Sequence, residues 1–312
     1  MAVLCTGSVA IDHIMVFRGR FKDVILPDKI HMLNVAFHVP QLRKSWGGTA
    51  ANIAFNLRLL GEDPIVLATV GNDFDAYAQW LDRHGIRRDG ILELEDESTA
   101  GAYITTDLDD NQIIGFHSGA MDRAHEAPVA GVTDFVELAI VSPNGKQAML
   151  QHARDLKSRA IPVVVDPGQG LPLFDRDELV ELLEGADTYV VNDYEWSLTL
   201  ETAGLGEDEI ASRVGAVVVT RGEQGATLRT DGARFEVPAV KAREVVDPTG
   251  CGDAWRAGYL FGRLRGLSLE ECARIGSLMG SLMVEREGTQ TLSFRPDEFR
   301  ARYEREFGTP GF

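Results

Sequence analysis

The sequence has little cysteine, and its cysteines are not spaced to hold a metal ion or a disulfide framework. Three are present among 312 residues, Cys5, Cys251 and Cys272, and they match neither a zinc pattern nor a Cys-x-x-Cys pair. The seven histidines show no metal-ligand spacing either. A sparse and odd cysteine count suits a reducing compartment, so we expect a cytoplasmic protein rather than a disulfide-stapled one.

Basic residues are also in short supply. There are 31 lysines and arginines against 48 aspartates and glutamates, which gives a formal net charge of −17. Proteins that bind nucleic acid usually present a basic face, and no Lys/Arg-rich run occurs here. We therefore expect no nucleic-acid partner, and we interpret the acidity as an aid to solubility.

Long hydrophobic runs are absent. No apolar stretch approaches the roughly 20 residues that a membrane-spanning helix needs, and residues 1–9 lack the basic start of a signal peptide. Hydrophobic residues make up 44% of the chain and charged residues 25%, which is ordinary for a globular protein. We expect no membrane partner and a chain that folds around a large core.

What the sequence does contain is an alternation of short apolar stretches with helical patterns. Strands are predicted at 2–5, 65–70, 138–142, 162–166, 188–192 and 216–220, and a hairpin at 227–237. Helices are predicted at 50–60, 76–83, 146–159, 175–183 and 194–200. Continuous apolar strands indicate an α/β fold with a mostly parallel central sheet flanked by helices. Ligands of such sheets bind beyond the carboxyl ends of the strands.

Two segments interrupt this alternation. Segment 93–119 holds strand-like runs at 103–106 and 112–116 around turn residues 108–111, which predicts a hairpin. Segment 12–40 mixes aromatic and polar residues without a clear period. We expect these inserted segments to form a small β-sheet that acts as a lid over one domain spanning residues 1–312.

The strongest chemical signal is the stretch 247–253, which reads Asp-Pro-Thr-Gly-Cys-Gly-Asp and precedes a helical pattern at 254–265. Gly250 and Gly252, with Cys251 between them, let backbone N–H groups converge beside the positive end of a helix dipole, which predicts an anion hole for phosphate oxygens. Asp253 at the helix start can accept the proton of an attacking hydroxyl, as phosphoryl transfer requires. The stretch alone also fits a glycine-rich turn with Asp253 as a helix cap.

A second glycine pair, Gly47 and Gly48, precedes the helix predicted at 50–60. Paired glycines allow a ligand to approach the backbone closely. Asn52 lies one turn into that helix, where its amide can bond hydroxyl groups. The same pattern fits a plain helix start.

Taken together, the early Gly-Gly-x-x-x-Asn and the late Asp-x-x-Gly-x-Gly-Asp resemble the two signatures of the ribokinase-like (PfkB) carbohydrate kinase family. Stretches 7–12, 192–195 and 220–225 are similar to further motifs of that family, in the same order. Stretches 7–13, 116–121, 192–196, 247–258 and 288–290 resemble its bacterial adenosine kinases of the mycobacterial type.

The resemblance implies a ribokinase-like fold and an activity. The expected reaction is ATP-dependent phosphorylation of the ribose 5′-hydroxyl of adenosine to give AMP, with Asp253 as general base and Gly250, Cys251 and Gly252 around the anion hole. The implied substrate-binding residues are Ser8, Asp12, Gly47, Gly48, Asn52, Phe116 and Gln169. The implied nucleotide-binding residues are Asn192, Glu195, Thr220, Gly222, Gly225, Asp247 and Thr249.

Further expectations concern the metal, the base and the subunits. Glu195 and Asn192 are expected to steer a Mg²⁺ ion that sits among phosphates and water, and a monovalent cation such as K⁺ is left open. Phe116 is the first candidate to stack on the base, whereas Tyr103 and Phe37 fit lid packing as well as stacking. Ser8 and Gln169 are expected at the base edges. Because an exposed sheet edge seeks a partner, we expect a homodimer formed through the lid.

Departures from the family pattern keep alternatives open. Cys251 stands where the family usually has alanine, and residues 166–168 read Asp-Pro-Gly without the asparagine of many sugar kinases, which puts a ribokinase in doubt. Other acceptors are ribose, fructose, inosine and cytidine. A non-catalytic nucleotide-binding regulator is a second alternative, although loss of Asp253 would be its expected mark. Arg256, one turn after Asp253, fits a phosphate contact and an acidic partner equally.

Overall fold

The computed structural model describes residues 2–26, 31–109, 111–230 and 232–312. Its strands are β1 (Ala2–Thr6), β2 (Ala10–Val16), β3 (Leu42–Gly47), β4 (Asp63–Gly71), β5 (Arg87–Leu94), β6 (Gly101–Thr106), β7 (Gln112–His117), β8 (Val136–Val141), β9 (Val163–Val165), β10 (Thr188–Asn192), β11 (Val217–Thr220), β12 (Ala226–Thr230) and β13 (Ala233–Val237). Its helices are α1 (Phe21–Val24), α2 (Thr49–Leu59), α3 (Asp75–Arg83), α4 (Lys146–Ser158), α5 (Arg176–Leu183), α6 (Asp193–Ala203), α7 (Glu207–Ala211), α8 (Cys251–Leu264), α9 (Leu269–Val284) and α10 (Pro296–Phe307).

Nine of the described strands form one large sheet in the order β13-β12-β11-β10-β9-β8-β1-β4-β5. Neighbouring strands from β11 to β5 run parallel, and β12 and β13 add an antiparallel hairpin at one edge. The predicted mostly parallel sheet and its edge hairpin are therefore confirmed, apart from Asp231 of that hairpin, which lies outside the described residues.

Both faces of the large sheet are buried, which explains why its strands read as continuous apolar runs. Along β1, Val3 and Cys5 pack into a core with α2, α3, α8, α9 and α10, whereas Leu4 points to a second core with α4, α5, α6 and α7. The chain leaves β1 towards β4 and β5 on one side and returns at β8 on the other. Such a switch point opens a crevice at the carboxyl ends of the strands.

Four strands form a small sheet in the order β3-β2-β6-β7. The hairpin of β6 and β7 confirms the prediction for 103–106 and 112–116, although Asp110 in its turn lies outside the described residues. The predicted bounds of the other inserted segment were inexact, since β2 begins at Ala10 and β3 extends to Gly47. Residues 27–30 of that segment are not described either.

Phe37 belongs to an aromatic cluster beside the small sheet. Its ring centroid lies 5.0 Å from those of both Phe17 and Phe21. This packing accounts for Phe37 without a ligand, so the packing interpretation holds for this residue.

Several elements were not predicted. β5 was missed because it lies at the sheet edge and half of its residues are exposed, so its sequence is too polar to read as a buried strand. No prediction covered α9 or α10. The helix predicted at 254–265 begins earlier, at Cys251, so that the second glycine of the motif lies inside the helix. None of the described helices combines the length and apolar character needed to cross a membrane.

Candidate active site

The N-terminus of α8 opens at the carboxyl edge of the large sheet. Gly250 caps the helix with φ 78° and ψ 0°, a left-handed conformation that glycine adopts without strain. The first helical hydrogen bond runs from Ala254 N–H to Gly250 O at 2.9 Å. The N–H groups of Gly252 and Asp253 therefore have no acceptor within the helix and are available to an anion.

Asp247 holds the loop before this helix. Its carboxylate accepts hydrogen bonds from Thr249 N–H at 2.9 Å and Gly288 N–H at 3.0 Å. Burial alone would raise the pKa of Asp247, but these hydrogen bonds hold it below its ordinary value. Asp247 thus ties the anion-hole loop to the segment after α9, and a nucleotide contact by Asp247 or the exposed Thr249 stays a prediction.

Asp253 combines partial exposure with a strongly perturbed carboxyl group. Burial raises its pKa to about 7, against the opposing effects of a hydrogen bond from Asn52 and the charge of Arg256. The negative charge of Asp166 adds to the rise. A carboxylate with a pKa near neutrality is both a competent proton acceptor and available as the ionised form at physiological pH.

Asn52 joins α2 to α8. Its Nδ2 donates a hydrogen bond to Asp253 Oδ2 at 2.8 Å, and the residue is buried in the first turn of α2. Gly48 caps that helix with φ 91°, and a Cβ there would lie 2.5 Å from Ser8 O and 2.6 Å from Ala10 N. Glycine is therefore required at position 48 because the backbone of residues 8–10 passes so close to it. The sequence had suggested a different reason, the close approach of a ligand.

Asp12 lies on β2 near the same point. Burial raises its pKa, and a hydrogen bond from the Ala102 N–H opposes that rise. A Cβ on Gly47 would lie 2.7 Å from Asp12 Oδ2. The buried Tyr77 hydroxyl feels the negative charge of both Asp12 and Asp253, which contributes to its raised pKa. The structure thus brings the two carboxylates close enough to one hydroxyl group for both charges to act on it.

Phe116 lies in register with Asp12 across the small sheet. His13 pairs with Tyr103 on β6, which places Asp12 beside Ala102, and Ala102 pairs with Phe116 on β7. Residues in one cross-strand row share a face, and two strand spacings separate Asp12 from Phe116 by about 10 Å. Only the small Ala102 stands between them, and the Phe116 side chain is 58% exposed.

Tyr103 belongs to the other face of this sheet. Its ring stacks on His13 with centroids 4.6 Å apart and an interplanar angle of 8°. The row that contains His13 and Tyr103 therefore faces away from Asp12. Packing within the small sheet accounts for Tyr103, as it does for Phe37. His13 Nδ1 has no hydrogen-bond partner among the described residues.

The two residues expected to hydrogen-bond the edge of the nucleobase, Ser8 and Gln169, differ in how free their side chains are. The Ser8 hydroxyl accepts a hydrogen bond from Thr49 N–H at 3.0 Å and so serves the start of α2. Gln169 is exposed in the short 3₁₀ helix Gly168–Leu173 that follows β9. Base contacts by either residue stay predictions, and Gln169 has the freer side chain.

The expected nucleotide-binding residues cluster at the ends of β10 and β11. Asn192 Oδ1 accepts a hydrogen bond from Glu195 N–H at 2.7 Å, and Glu195 Oε2 accepts one from Asn192 N–H at 2.8 Å. Thr220 pairs with Asn192 in the sheet, and the turn with Gly222 and Gly225 follows it. Burial raises the pKa of Glu195, and the charge of Asp166 raises it further.

A Mg²⁺ ion would have few protein ligands here. No group of three or more His, Cys, Asp or Glu side chains with metal-binding geometry occurs in the described parts of the chain. Mg²⁺ commonly keeps waters and binds through one or two carboxylates together with substrate phosphates, so a single carboxylate such as Glu195 fits that mode.

Arg256 pairs with an acidic neighbour. Its guanidinium forms a two-pronged ion pair with Asp166, in which Nη2 lies 2.9 Å from Oδ1, and its Nη1 donates to Gly252 O at 3.1 Å. The side chains are 9% and 3% exposed. Of the two roles that the sequence left open, the structure therefore shows the ion pair.

Cys251 is a weak nucleophile in this setting. Burial raises its pKa to about 11, and the charges of Asp247 and Asp253 raise it further. The thiol is therefore protonated at neutral pH, and its helix-terminal position does not activate it.

Three functional candidates escaped the sequence reading. Gln290, Tyr77 and Trp80 form a hydrogen-bonded group behind Asn52 and are far from it in sequence. The only signal was the stretch 288–290, which contributed to the family resemblance without a role of its own.

Comparisons with known proteins agree with this geometry. The model of the pfkB family carbohydrate kinases matches residues 5–296. A nucleoside kinase from Methanocaldococcus jannaschii is 34% identical over 294 residues, which cover 93% of this chain and 92% of that protein.

Solved structures of a Burkholderia thailandensis nucleoside kinase are also similar. The complex with inosine has a TM-score of 0.89 at 43% identity and covers 99% of this chain and 98% of that one. The complex with ADP-inosine has a TM-score of 0.86 at 45% identity, covering 99% and 97%. The ribokinase-like fold and the phosphotransferase chemistry with an alcohol acceptor are thereby established, and the chain belongs to the pfkB family of carbohydrate kinases.

Proposed function

We propose that this protein is a nucleoside kinase that transfers the γ-phosphoryl group of ATP to the 5′-hydroxyl of a ribonucleoside. The observation that carries the phosphoryl transfer is the position of Asp253. Its carboxylate has a pKa of about 7 and lies in the first turn of α8, beside two N–H groups without helical acceptors. A base and an anion site then meet at one helix terminus.

In this mechanism the protein mainly positions groups and stabilises charge. Asp253 accepts the 5′-hydroxyl proton as the oxygen attacks the phosphorus atom. The N–H groups of Gly252 and Asp253 and the dipole of α8 stabilise the negative charge on the transferred group. Glu195 and Asn192 would hold a Mg²⁺ ion that neutralises further charge on the phosphates. Thr220, Gly222 and Gly225 are proposed to hold the nucleotide.

The row of Asp12, Ala102 and Phe116 favours a nucleoside over a free sugar. Asp12 is an acceptor-only group that suits the 2′- and 3′-hydroxyls of a ribose, and Asn52 is proposed to contact the same hydroxyls. Phe116 on the same face, about 10 Å away, is placed to stack on a base, and Ala102 leaves room between them. A free pentose has no ring to contact Phe116.

Among nucleosides, inosine is the first acceptor to test. The sequence reading favoured adenosine, but a relative at 43% identity is described in complex with inosine. The two bases differ at position 6, where inosine has a carbonyl and adenosine an amino group. The exposed Gln169 amide can present either its oxygen or its nitrogen, so it does not by itself exclude either base.

A coupled assay of ADP release with Mg-ATP tests the proposal. Inosine, adenosine, cytidine, ribose and fructose are compared at equal concentrations. We expect one or more nucleosides to exceed the free sugars in kcat/KM by at least about tenfold. Turnover of ribose or fructose alone would contradict the nucleoside assignment, and no turnover of any acceptor would favour a non-catalytic nucleotide-binding protein.

The pH dependence of the reaction follows from Asp253. A general base must be ionised, and burial raises the pKa of this one to about 7. We expect kcat/KM to fall about tenfold per pH unit below pH 7 and to level off above it. The measurement is kcat/KM from pH 5.5 to 9, and a profile flat down to pH 5.5 would contradict this assignment of the base.

Gly252 offers a test of the anion site that is separate from folding. It lies in the helical part of α8, is exposed, and has no positive φ, and the nearest atom that a Cβ there would meet is Arg256 Nη1 at 3.0 Å. We expect Gly252→Ala to change Tm little, since the preference of a helix for alanine, up to about 1 kcal/mol, offsets the crowding of Arg256. The added methyl group would crowd the N–H groups and lower kcat/KM for ATP at least about tenfold.

The matched control is Gly131→Ala, at an exposed glycine with open space around its Cα in the 3₁₀ turn Val129–Gly131. We expect this variant to keep wild-type kinetics. Wild-type kinetics of Gly252→Ala as well would argue against phosphate binding at the start of α8.

We further propose that the small sheet acts as a lid and pairs between two copies of the chain. Its edge strand β7 is exposed along its whole length and carries Ile113, Ile114 and Phe116. An apolar edge with unpaired backbone groups favours association. Sedimentation should give a dimer for the wild type and a monomer for Ile114→Lys, and a monomeric wild type would refute the pairing.

A further inference from the structure

We propose that Gln290 is a positioning residue for the catalytic base, and that it fixes the side-chain amide of Asn52 with its nitrogen towards Asp253. The inference rests on the proposed role of Asp253. It goes beyond that role because it assigns a function to a residue remote in sequence that does not contact the reacting atoms.

The geometry is a line of hydrogen bonds behind the site. Trp80 Nε1 donates to Gln290 Oε1 at 2.9 Å, and Gln290 Nε2 donates to Asn52 Oδ1 at 3.0 Å. Asn52 Nδ2 then donates to Asp253 Oδ2 at 2.8 Å. Gln290 and Asn52 are both buried, so these bonds do not compete with bulk water.

The direction of this line is fixed by its ends. An indole nitrogen can only donate, so Gln290 must turn its oxygen to Trp80 and its nitrogen to Asn52. A second branch enforces the same orientation. The Tyr77 hydroxyl donates to the backbone oxygen of Gly47 at 2.8 Å, so it accepts from Gln290 Nε2 at 2.6 Å.

The fixed orientation of the Gln290 amide in turn fixes the orientation of the Asn52 side-chain amide. Its oxygen faces the Gln290 nitrogen, and its nitrogen faces Asp253. A hydrogen bond donated to a carboxylate favours the ionised form, which is the form that accepts a proton. If the amide turned over, its oxygen would face Asp253, and only a protonated Asp253 could bond to it.

Other charges around Asp253 act independently of this line. Arg256 on α8 favours the ionised carboxylate, and Asp166 after β9 opposes it. Further acidic or ionisable groups that face the same region from neighbouring elements are Tyr77 on α3, Asp12 on β2, Cys251 on α8 and Glu195 on α6. Of these groups, only Tyr77 is hydrogen-bonded to the Gln290 side chain within the described parts of the chain, so loss of the Gln290 amide does not remove their charges.

The segment 288–290, which carries Gln290, is held in place by its neighbours. The segment 288–290 is held on both sides, because Gly288 N–H bonds to Asp247 and the Thr289 hydroxyl donates to Trp46 O at 2.6 Å. Thr289 also packs against Gly250. Gln290 is therefore anchored to the anion-hole loop and to the small sheet at once.

The test measures the pH profile of kcat/KM for Gln290→Glu, Gln290→Met and Trp80→Phe. In Gln290→Glu the introduced carboxylate cannot donate to Asn52, so we expect the amide of Asn52 to turn over, and the added negative charge disfavours ionised Asp253 as well. Gln290→Met adds no charge and therefore isolates the effect of the amide orientation. We expect the acidic limb to move up by about one pH unit or more, which is about a tenfold loss at pH 6 with a loss below about threefold at pH 9. The other two variants should shift the limb in the same direction by less.

Controls separate this proposal from the proposed function and from misfolding. Thr291→Val removes a hydroxyl in the same segment whose hydrogen bonds, among the described residues, run to Glu287 O and Gly288 O, and it should keep the wild-type profile. Tm is measured for every variant, and Trp80→Phe provides the test if a Gln290 variant does not fold. Suppose that Asp253→Asn is inactive but the acidic limb of the kcat/KM profile does not move in any folded variant of Gln290 or Trp80. The positioning role of Gln290 is then wrong, while the base assignment stands. If Asp253→Asn keeps its activity, the base assignment itself fails.

Discussion

Replacing the proposed base, Asp253→Asn, should lower kcat by roughly 10²- to 10⁴-fold and at the same time raise Tm at pH 8. The loss of activity follows because an amide cannot accept the proton of the acceptor hydroxyl. The gain in stability follows because burial raises the pKa of Asp253 to about 7, so that above this pH the folded protein holds an unfavourable charge.

The stability of the folded protein should depend on pH through the raised pKa of Asp253. A carboxyl group whose folded pKa is raised contributes stability that is full below its unfolded pKa, about 3.9. That contribution is lost as the pH rises through about 7. The wild type should therefore lose stability relative to Asp253→Asn between pH 4 and pH 7, and thermal melts across this range measure the difference.

Asp247 provides the matched control within the same motif. Hydrogen bonds hold its pKa below the ordinary value despite partial burial, so its contribution is present at neutral pH and lost at low pH. We expect Asp247→Asn to lower Tm at pH 8, opposite to Asp253→Asn. If both substitutions changed Tm in the same direction at pH 8, the electrostatic account of the two aspartates would be wrong.

The largest loss of stability is expected for Arg256→Met. This substitution leaves Asp166, whose side chain is 3% exposed, as a buried charge without its cation. Removal of one partner of a buried ion pair costs about 3–5 kcal/mol, and the nearby carboxylates of Glu195 and Asp253 add repulsion. Urea denaturation at pH 8 measures the free energy of unfolding.

Two comparisons isolate the cause of that loss. The double variant Arg256→Met, Asp166→Asn leaves no unpaired charge and should recover much of the stability. Arg263→Met removes the same residue type two turns later on α8, where the side chains of the Arg263–Asp187 pair are 26% and 22% exposed. A loss at Arg263 equal to that at Arg256, or no recovery in the double variant, would indicate lost packing rather than an unpaired charge.

Buried strands and local motifs were predictable because their signals lie within a few residues. The apolar runs of β8, β10 and β11 and the helices that follow β8 and β10 were predicted to within a few residues. The hairpin of β6 and β7 was predictable from its turn residues. β5 could not be predicted in the same way, because an edge strand exposes half of its residues and carries no continuous apolar run.

The candidate site shows the same division. Gly250, Gly252 and Asp253 stand within four residues, and glycine freedom with a helix start is a local property. The partnership of Asn52 with Asp253 spans 201 residues and depends on α2 packing beside α8. The choice of Asp166 as the partner of Arg256 likewise required the end of β9 to reach α8.

By itself, then, the sequence determined the α/β architecture and the glycine-rich start of α8 with Asp253 in its first turn, and from these came the proposals of an anion site and a base, since each depends on periodicity or on neighbouring residues. Tertiary structure alone decided the raised pKa of Asp253, the face that Phe116 shares with Asp12, and the line from Trp80 through Gln290 to Asn52. These properties depend on burial and on distances between segments far apart in the chain, and no local pattern of residues encodes them.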